Sequence, residues 1–368
     1  MDKCRQSLTG VLLPVLKVIG YAVCGIFAFL ILFLVAVRSV TWFSARITTE
    51  SGVDEGIYVT LGGQEQYLLI RGEDTNNPVI IWLHGGPAGS DTYTNHVFQK
   101  YLTDAYTFVN WDQRGCGRTY FRNQSRDPEN ETATFAQAQA DLDELVDYVC
   151  RRFDTDSVIL MGHSYGTMLG SKYTLEHPHK VRAYIGVGQV VNFEGEVYSY
   201  RDALEKARLL GDDTAEMEAA YKAYRQDDNL VNMMILRSRV SPYHVPEKQA
   251  DTLWLGISSP YMGLPDFCWF LKQMGSLEAY FALNSRLFDY VKTADVTSYG
   301  TQYQVPVGIL SGACDWTTPV TQAREYFDLI SAPRKQFQLL DGCGHSPQYA
   351  SPEEFSDIVK NMLEELLS

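Results

Sequence analysis

Gly162-His163-Ser164-Tyr165-Gly166 sets a serine between two glycines, directly after the apolar run SVILMG (157–162) and before a stretch that His177-Pro178 closes. A G-x-S-x-G at a strand-to-helix junction makes a sharp turn that lifts the serine hydroxyl above the sheet edge, with a helix N-terminus behind it. A serine becomes a working nucleophile when a base takes its proton and an acid fixes the tautomer of that base. In the chain order Ser, Asp/Glu, His, the partners lie on loops after later strands. Asp315 follows VGILSGAC and His345 follows FQLLDGCG, so Ser164 is the candidate nucleophile, His345 its base and Asp315 the orienting acid. Asp341 is the rival acid, placed at the end of the last strand before the loop turns. Acyl transfer also needs amides facing the developing oxyanion. His84-Gly85-Gly86-Pro87-Ala88-Gly89 follows the run PVIIWLH, where a backbone N–H can approach the reacting carbonyl without a side chain in the way. The amides of Gly86 and Tyr165 are the candidate donors.

These residues need strands to hold them. PVIIWLH (78–84), YTFVNWD (106–112), SVILMG (157–162), VRAYIGVG (181–188), VPVGILSG (305–312) and KQFQLLDG (335–342) are apolar runs of strand length. Continuous apolar runs mark strands buried on both faces. IYVTL (57–61) and EQYLLIR (65–71) flank Gly62-Gly63 and predict a hairpin. Between 134 and 153, Phe135, Ala138, Leu142, Leu145, Val146 and Val149 fall on one helical face. Apolar strands alternating with helices predict a mostly parallel sheet covered on both sides. Residues 190–295 break the rhythm with helix formers and a crowd of aromatics, among them Trp254, Tyr261, Phe267, Trp269, Tyr280, Phe281 and Phe288. Most of these rings are expected to form the core of a helical subdomain, with a few lining a pocket.

The N-terminus is a different object. Val18–Val37 holds no charge across twenty residues, which at about 1.5 Å per residue matches the roughly 30 Å hydrocarbon layer. This predicts a membrane anchor; the competitor is a cleaved signal peptide, whose apolar region is usually about 7–15 residues. Lys3, Arg5 and Lys17 precede the run and Arg38 and Arg46 follow it, which favours the N-terminus inside and the bulk of the chain outside. Residues 1–45 carry a net +3 within a chain of net −14, leaving −17 on the remainder. So acidic a surface repels phosphate backbones and argues against nucleic-acid partners. Asn-x-Ser/Thr triplets at Asn123 and Asn130 are compatible with export and carry little weight. Cys116, Cys150, Cys268, Cys314 and Cys343 form no C-x-x-C and read as buried free thiols; the alternative is a disulfide between Cys314 and Cys343, which are expected to be neighbours. No H-E-x-x-H is present, and Gly115-Cys116-Gly117-Arg118 lacks the spacing of a nucleotide loop. Asp112 and Arg114 read as a buried ion pair pinning the loop on the oxyanion side.

With these residues in place, the chain resembles the α/β-hydrolase superfamily, and within it the proline iminopeptidase group of serine aminopeptidases. HGGPAG (84–89) is similar to that group's HGGPG, and DQRGCGRT (112–119) to its DQRGxGxS/T block. GHSYG, the Asp315 loop and Gly344-His345-Ser346 complete the likeness, which covers roughly residues 55–190 and 300–365. Ala88 stands where the group has glycine, and His-Ser-Tyr where members often have Gly-Ser-Trp. The resemblance implies a helical cap between the sixth and seventh strands, release of an N-terminal residue such as proline from short peptides, and cap carboxylates holding the substrate's α-amino group. Glu194 and Glu196 are the candidates for that contact, ahead of Asp202 and Glu205; the plain alternative is that all four are solvated carboxylates of an acidic protein.

The expected organisation is an anchor and stalk over 1–49 with the span at 18–37, an α/β-hydrolase core over 50–189 and 296–368, and a helical cap over 190–295. The expected activity is that of a serine aminopeptidase needing no cofactor, acting on a short peptide or small acyl substrate at a membrane. A carboxylesterase, lipase-like enzyme or amidase with the same triad is the nearest alternative, and a non-catalytic binding protein on this fold the more distant one.

Overall fold

A computed structural model describes the backbone of residues 2–368 and the side chains of Pro14, 16–229 and 231–368. Lys3 and Arg5, which weigh on membrane orientation, therefore lie outside the described side chains. Eight strands form one sheet: β1 (Val53–Leu61), β2 (Gln64–Gly72), β3 (Val79–Leu83), β4 (Thr107–Trp111), β5 (Val158–His163), β6 (Val181–Val187), β7 (Val307–Gly312) and β8 (Lys335–Leu340). Their order across the sheet is β1-β2-β4-β3-β5-β6-β7-β8. β2 runs antiparallel to β1 and β4, and every other pair is parallel.

Burial explains why the apolar runs stand out in the sequence. Every residue of β3, β4, β5 and β7 is buried, because helices cover both faces. β1 alternates half-buried and exposed positions until the buried Leu61, and it begins at Val53, four residues earlier than its apolar signal. The helix Phe135–Phe153 buries the six apolar residues of its predicted face. It starts with Thr134, whose side chain accepts from the Gln137 amide, and ends on Asp154 in a left-handed conformation.

Between β6 and β7 the chain leaves the sheet for seven helices, from Gly195–Leu210 to Ser285–Thr293. The two ends of this excursion meet: the Val296 amide donates to the Val191 carbonyl at 2.8 Å, and Asn192 Nδ2 to Asp295 Oδ2 at 3.0 Å. Part of the excursion has its own core, built on Tyr200, Ala203, Ala207, Met217, Ala220, Tyr224, Leu236 and Val240. Not all its aromatics are core, however. Trp254 and Phe267 are exposed, contrary to expectation.

The N-terminal helix is continuous over Asp2–Ala45, and its stretch Leu16–Ala45 is long and apolar enough to cross a membrane, with none of its most apolar window buried against the rest of the chain. Cys314 and Cys343 are neighbours, the amide of one donating to the carbonyl of the other at 2.8 Å, and both are free thiols. The two Asn-x-Ser/Thr triplets cannot serve as glycan acceptors in the folded chain, because Asn123 and Asn130 are buried and both use their side-chain amides in hydrogen bonds.

Candidate active site

The loops after β3, β5, β6, β7 and β8 leave the carboxyl ends of adjacent parallel strands, the edge where α/β sheets hold ligands. Ser164 follows β5 directly, with φ 53° and ψ −123°. A non-glycine residue in that region is strained and persists only where its surroundings enforce it. Two close backbone approaches enforce it here. A Cβ on Gly166 would stand 2.0 Å from the Leu83 carbonyl oxygen, and one on Gly162 2.5 Å from that of Gly166, so both positions require glycine. The Ser164 amide donates to the Val187 carbonyl at 3.0 Å, and its carbonyl accepts from the amide and hydroxyl of Thr167 at 2.8 and 2.6 Å.

The helix Tyr165–Glu176 begins at the next residue, which leaves the Tyr165 amide among the unpaired donors of a helix start. The 84–89 loop runs alongside: a Cβ on Gly85 would meet Ser164 Cβ at 2.9 Å. Neither Gly86 N–H nor Tyr165 N–H donates to another protein group among the described residues, and both residues line the same cavity as Ser164. Two aromatics of the helical excursion hold this loop. Trp269 Nε1 donates to the Ala88 carbonyl at 3.0 Å, and the Tyr280 hydroxyl to that of Pro87 at 2.8 Å. Ala88 sits at φ 62°, a conformation that glycine adopts at lower cost. Sequence reasoning missed these two clamps, since nothing in the pattern separates them from the other rings around them.

Asp315 and His345 come together after β7 and β8, with His345 Nδ1 donating to Asp315 Oδ2 at 2.9 Å. Asp315 is buried and also accepts from the Thr317 and Thr318 amides at 2.9 and 3.0 Å and from the Thr318 hydroxyl at 2.7 Å. Burial alone would raise its pKa; the facing imidazole, its hydrogen bond and the Thr318 donors outweigh burial and hold the carboxyl below its ordinary range. With Nδ1 committed to a carboxylate, the neutral imidazole leaves Nε2 free to accept a proton.

His163, the variable residue before the serine, supports this loop by donating from Nε2 to the His345 carbonyl at 2.9 Å, and its ring lies 5.0 Å from that of His345. Burial, with the nearby His345 adding to it, lowers the pKa of His163 to about 3. An unfolded histidine binds a proton near ~6.5, so between about 6.5 and 3 the unfolded chain binds more protons at this site than the folded one. The stabilisation from a neutral His163 is thus complete above pH ~6.5 and is lost as pH falls. In urea unfolding, His163→Gln is expected to destabilise at pH ~7.5, and the deficit relative to the parent should shrink between about pH 6.5 and 4.5 by up to about 1.4 kcal/mol per pH unit. A constant deficit across that range would refute the buried neutral histidine.

Other expectations for the loops need correction. Arg114 does not pair with Asp112; it makes a two-pronged bond to Asp141, Nε to Oδ2 at 2.7 Å and a terminal nitrogen to Oδ1 at 2.8 Å. Asp112 is satisfied instead by the hydroxyls of Ser90 and Thr92 at 2.6 and 2.9 Å and by the Arg118 amide at 2.8 Å. Burial and the charge of Asp266 raise the pKa of Asp112 to about 7. The loop is pinned by two separate sets of contacts, in place of the single ion pair that the sequence suggested.

The cavity over Ser164 measures about 650 Å³ and is walled mostly by apolar side chains, including Phe193, Met233, Leu277, Tyr280, Phe281 and Phe288. Glu196 lines it and is paired with Arg237, Nε to Oε1 at 2.8 Å. Glu194 does not line it. It sits two residues earlier at the start of the helix Gly195–Leu210, about 200° away around the axis, and faces Arg225 on the exposed side at 3.1 Å. Asp202 and Glu205 are not brought to the cavity either; Asp202 accepts from the Thr321 hydroxyl at 3.2 Å and Glu205 is exposed. Asp228 and Asp289 do line it, and sequence reasoning missed them because both lie far along the chain from the sixth strand.

The sheet order, the glycine-bounded serine turn and the position of the site define the α/β-hydrolase fold, and the family model described as alpha/beta hydrolase fold matches residues 78–252. Within that class, the chain resembles proline iminopeptidases. A probable aminopeptidase of Bacillus subtilis is 26% identical over 308 residues, covering 81% of this chain and 93% of the relative. The proline iminopeptidase of Lactobacillus delbrueckii subsp. lactis is 24% identical over 318 residues, covering 83% and 97%. The crystal structure of a membrane phospholipase A, described as a novel bacterial virulence factor, superposes with a TM-score of 0.58 at 17% identity, covering 96% of this chain and 98% of that one; at that identity the likeness concerns the fold alone. Fold and relatives together support a hydrolase.

Proposed function

We propose that the chain is a membrane-anchored serine aminopeptidase that releases an N-terminal residue from short peptides. The observation that carries the reading is the contact of His345 Nδ1 with the buried Asp315 on the same sheet edge as the strained Ser164 turn. Ser164 Oγ attacks the carbonyl of the first residue while His345 takes its proton; the Gly86 and Tyr165 amides hold the oxyanion; His345 then protonates the leaving amine, and water hydrolyses the acyl-enzyme. The helix Leu16–Ala45 holds the enzyme in a membrane, with the hydrolase on the outer side.

The aminopeptidase assignment draws support from the relatives' names and from the cavity's charges. Glu196, Asp228 and Asp289 share the lining with Arg237 and Lys292, a net negative set suited to a substrate ammonium. Glu196 Oε2 has no protein donor among the described residues, so this carboxylate keeps one oxygen for a ligand while Arg237 occupies the other. An esterase or lipase-like reading is favoured by a different observation, the Met, Leu and Phe side chains that make up most of the wall. A panel of prolyl and other aminoacyl amides, their N-blocked versions and short acyl esters separates the two. Free amines are expected to be cleaved at least about tenfold faster than blocked ones, the discrimination one buried charge pair supplies. Equal cleavage of blocked and free amides would leave an esterase or amidase.

A further inference from the structure

We propose that the helices Thr252–Ser258 and Leu264–Gly275 rest in the surface of the same membrane that holds the N-terminal helix, so that the cavity over Ser164 opens at the lipid and takes amphiphilic substrates from it. The proposal rests on the hydrolase reading and adds the route and the substrate class: acyl or aminoacyl compounds with a long apolar portion.

The N-terminal helix supplies its own depth scale. Its charge-free run ends at Val37, and Arg38 turns back onto the helical excursion, Nε donating to the Ile257 carbonyl and a terminal nitrogen to that of Met262, each at 3.0 Å. Residues 257–262 therefore sit level with the end of the apolar run. Phe33 lies five residues further in, roughly 7–8 Å along the axis at about 1.5 Å per residue. Its ring is 6.5 Å from that of Trp254. Trp254 is thus carried to the depth, about 5–10 Å, at which amphipathic surface helices bury their apolar side.

The next helix continues the surface. Leu264–Gly275 buries Asp266 and Trp269 on one side. Asp266 receives Arg118 there, and Trp269 holds the Ala88 carbonyl. On the other side Leu264, Phe267, Leu271 and Met274 are exposed at 73, 41, 51 and 69%, spaced three and four apart as one stripe. Lys272 is drawn away from that stripe, its ammonium 5.5 Å from the Tyr120 ring centre. Single exposed apolar side chains are ordinary, but an uncharged stripe beside a membrane-length helix marks an interaction surface. Met274, at the end of the stripe, and Leu277 just beyond it also line the cavity over Ser164. One apolar surface therefore runs from the anchor to the mouth of the site.

The test uses the full chain reconstituted in phosphatidylcholine vesicles. The probes are a short water-soluble fluorophosphonate and a long-chain fluorophosphonate dissolved in the lipid, which label a reactive serine whether the enzyme cleaves peptides or esters. Leu264→Asp/Leu271→Asp changes two exposed positions outside the cavity lining. It is expected to react with the soluble probe within about twofold of the parent and with the lipid-dissolved probe about tenfold or more slower, since aspartate at either position opposes insertion. Equal rates with both probes would overturn the proposal. A second measurement does not depend on catalysis: the fluorescence lost on Trp254→Phe should itself be quenched by about half or more in vesicles with brominated acyl chains, as expected for a ring at that depth. A Trp254 signal indifferent to bromine would also overturn it. Failure of both probes on the parent chain would refute the serine-hydrolase reading, and docking would then be decided by the quenching alone.

Discussion

Ser164→Ala is expected to lower turnover by about 10⁴-fold or more and to abolish fluorophosphonate labelling, because removing the proposed nucleophile leaves only binding and the proposed oxyanion donors. The variant is well suited to a clean measurement. Ser164 Oγ donates to no protein group among the described residues, so its loss orphans no partner, and the turn is enforced by Gly162 and Gly166 rather than by the serine. Alanine at φ 53° carries the same kind of strain as serine, so the melting temperature should move by only a few degrees. Persistence of equal labelling in Ser164→Ala would remove Ser164 from the chemistry and, with it, the reason for the His345 and Asp315 roles. Partial residual turnover of the kind an oxyanion site alone provides would instead support those amides.

The features legible in the sequence are those fixed by local periodicity. β3, β4, β5 and β7 stand out because burial on both faces makes their side chains mostly apolar, and the candidate residues lie just past the ends of such runs. β1 shows in the sequence only from residue 57, since Val53-Asp54-Glu55-Gly56 joins the strand through its pairing with β2, from Val53 opposite Gly72 onward, and not through an apolar pattern. The site's supports were invisible for a related reason: they depend on tertiary contact. Trp269 and Tyr280 reach carbonyls 181 and 193 residues away, and His163 reaches a carbonyl 182 residues away. Glu194 and Glu196 look equivalent on paper, yet helical rotation sends one to solvent and the other to the cavity. Arg114 shows the same limit, because its partner Asp141 belongs to a helix whose inward side reads as apolar.

Asp315→Asn should be nearly as damaging as loss of the serine, about 10⁴-fold in kcat with little change in KM, although it removes no heavy atom. The carboxylate accepts four hydrogen bonds: Oδ1 takes the Thr317 and Thr318 amides, and Oδ2 takes the Thr318 hydroxyl and His345 Nδ1–H. Asparagine can keep its oxygen on the two amides, which turns its NH2 towards the other pair. The threonine hydroxyl can rotate to accept; the imidazole N–H cannot. His345 then avoids a donor facing a donor only by moving its proton to Nε2, the atom that receives the proton of Ser164 in the proposed mechanism. The base is thereby blocked in its resting tautomer while the fold is preserved. Asp341→Asn is the matching control, because Asp341 lies in the turn just after the last strand and is exposed to solvent, where it fixes no tautomer. It should leave kcat within about twofold, as surface substitutions away from a site do. A loss in Asp341→Asn equal to that in Asp315→Asn would transfer the acid's role; a full rate in Asp315→Asn would show that nothing needs to hold His345 in the tautomer that the contact at 2.9 Å selects.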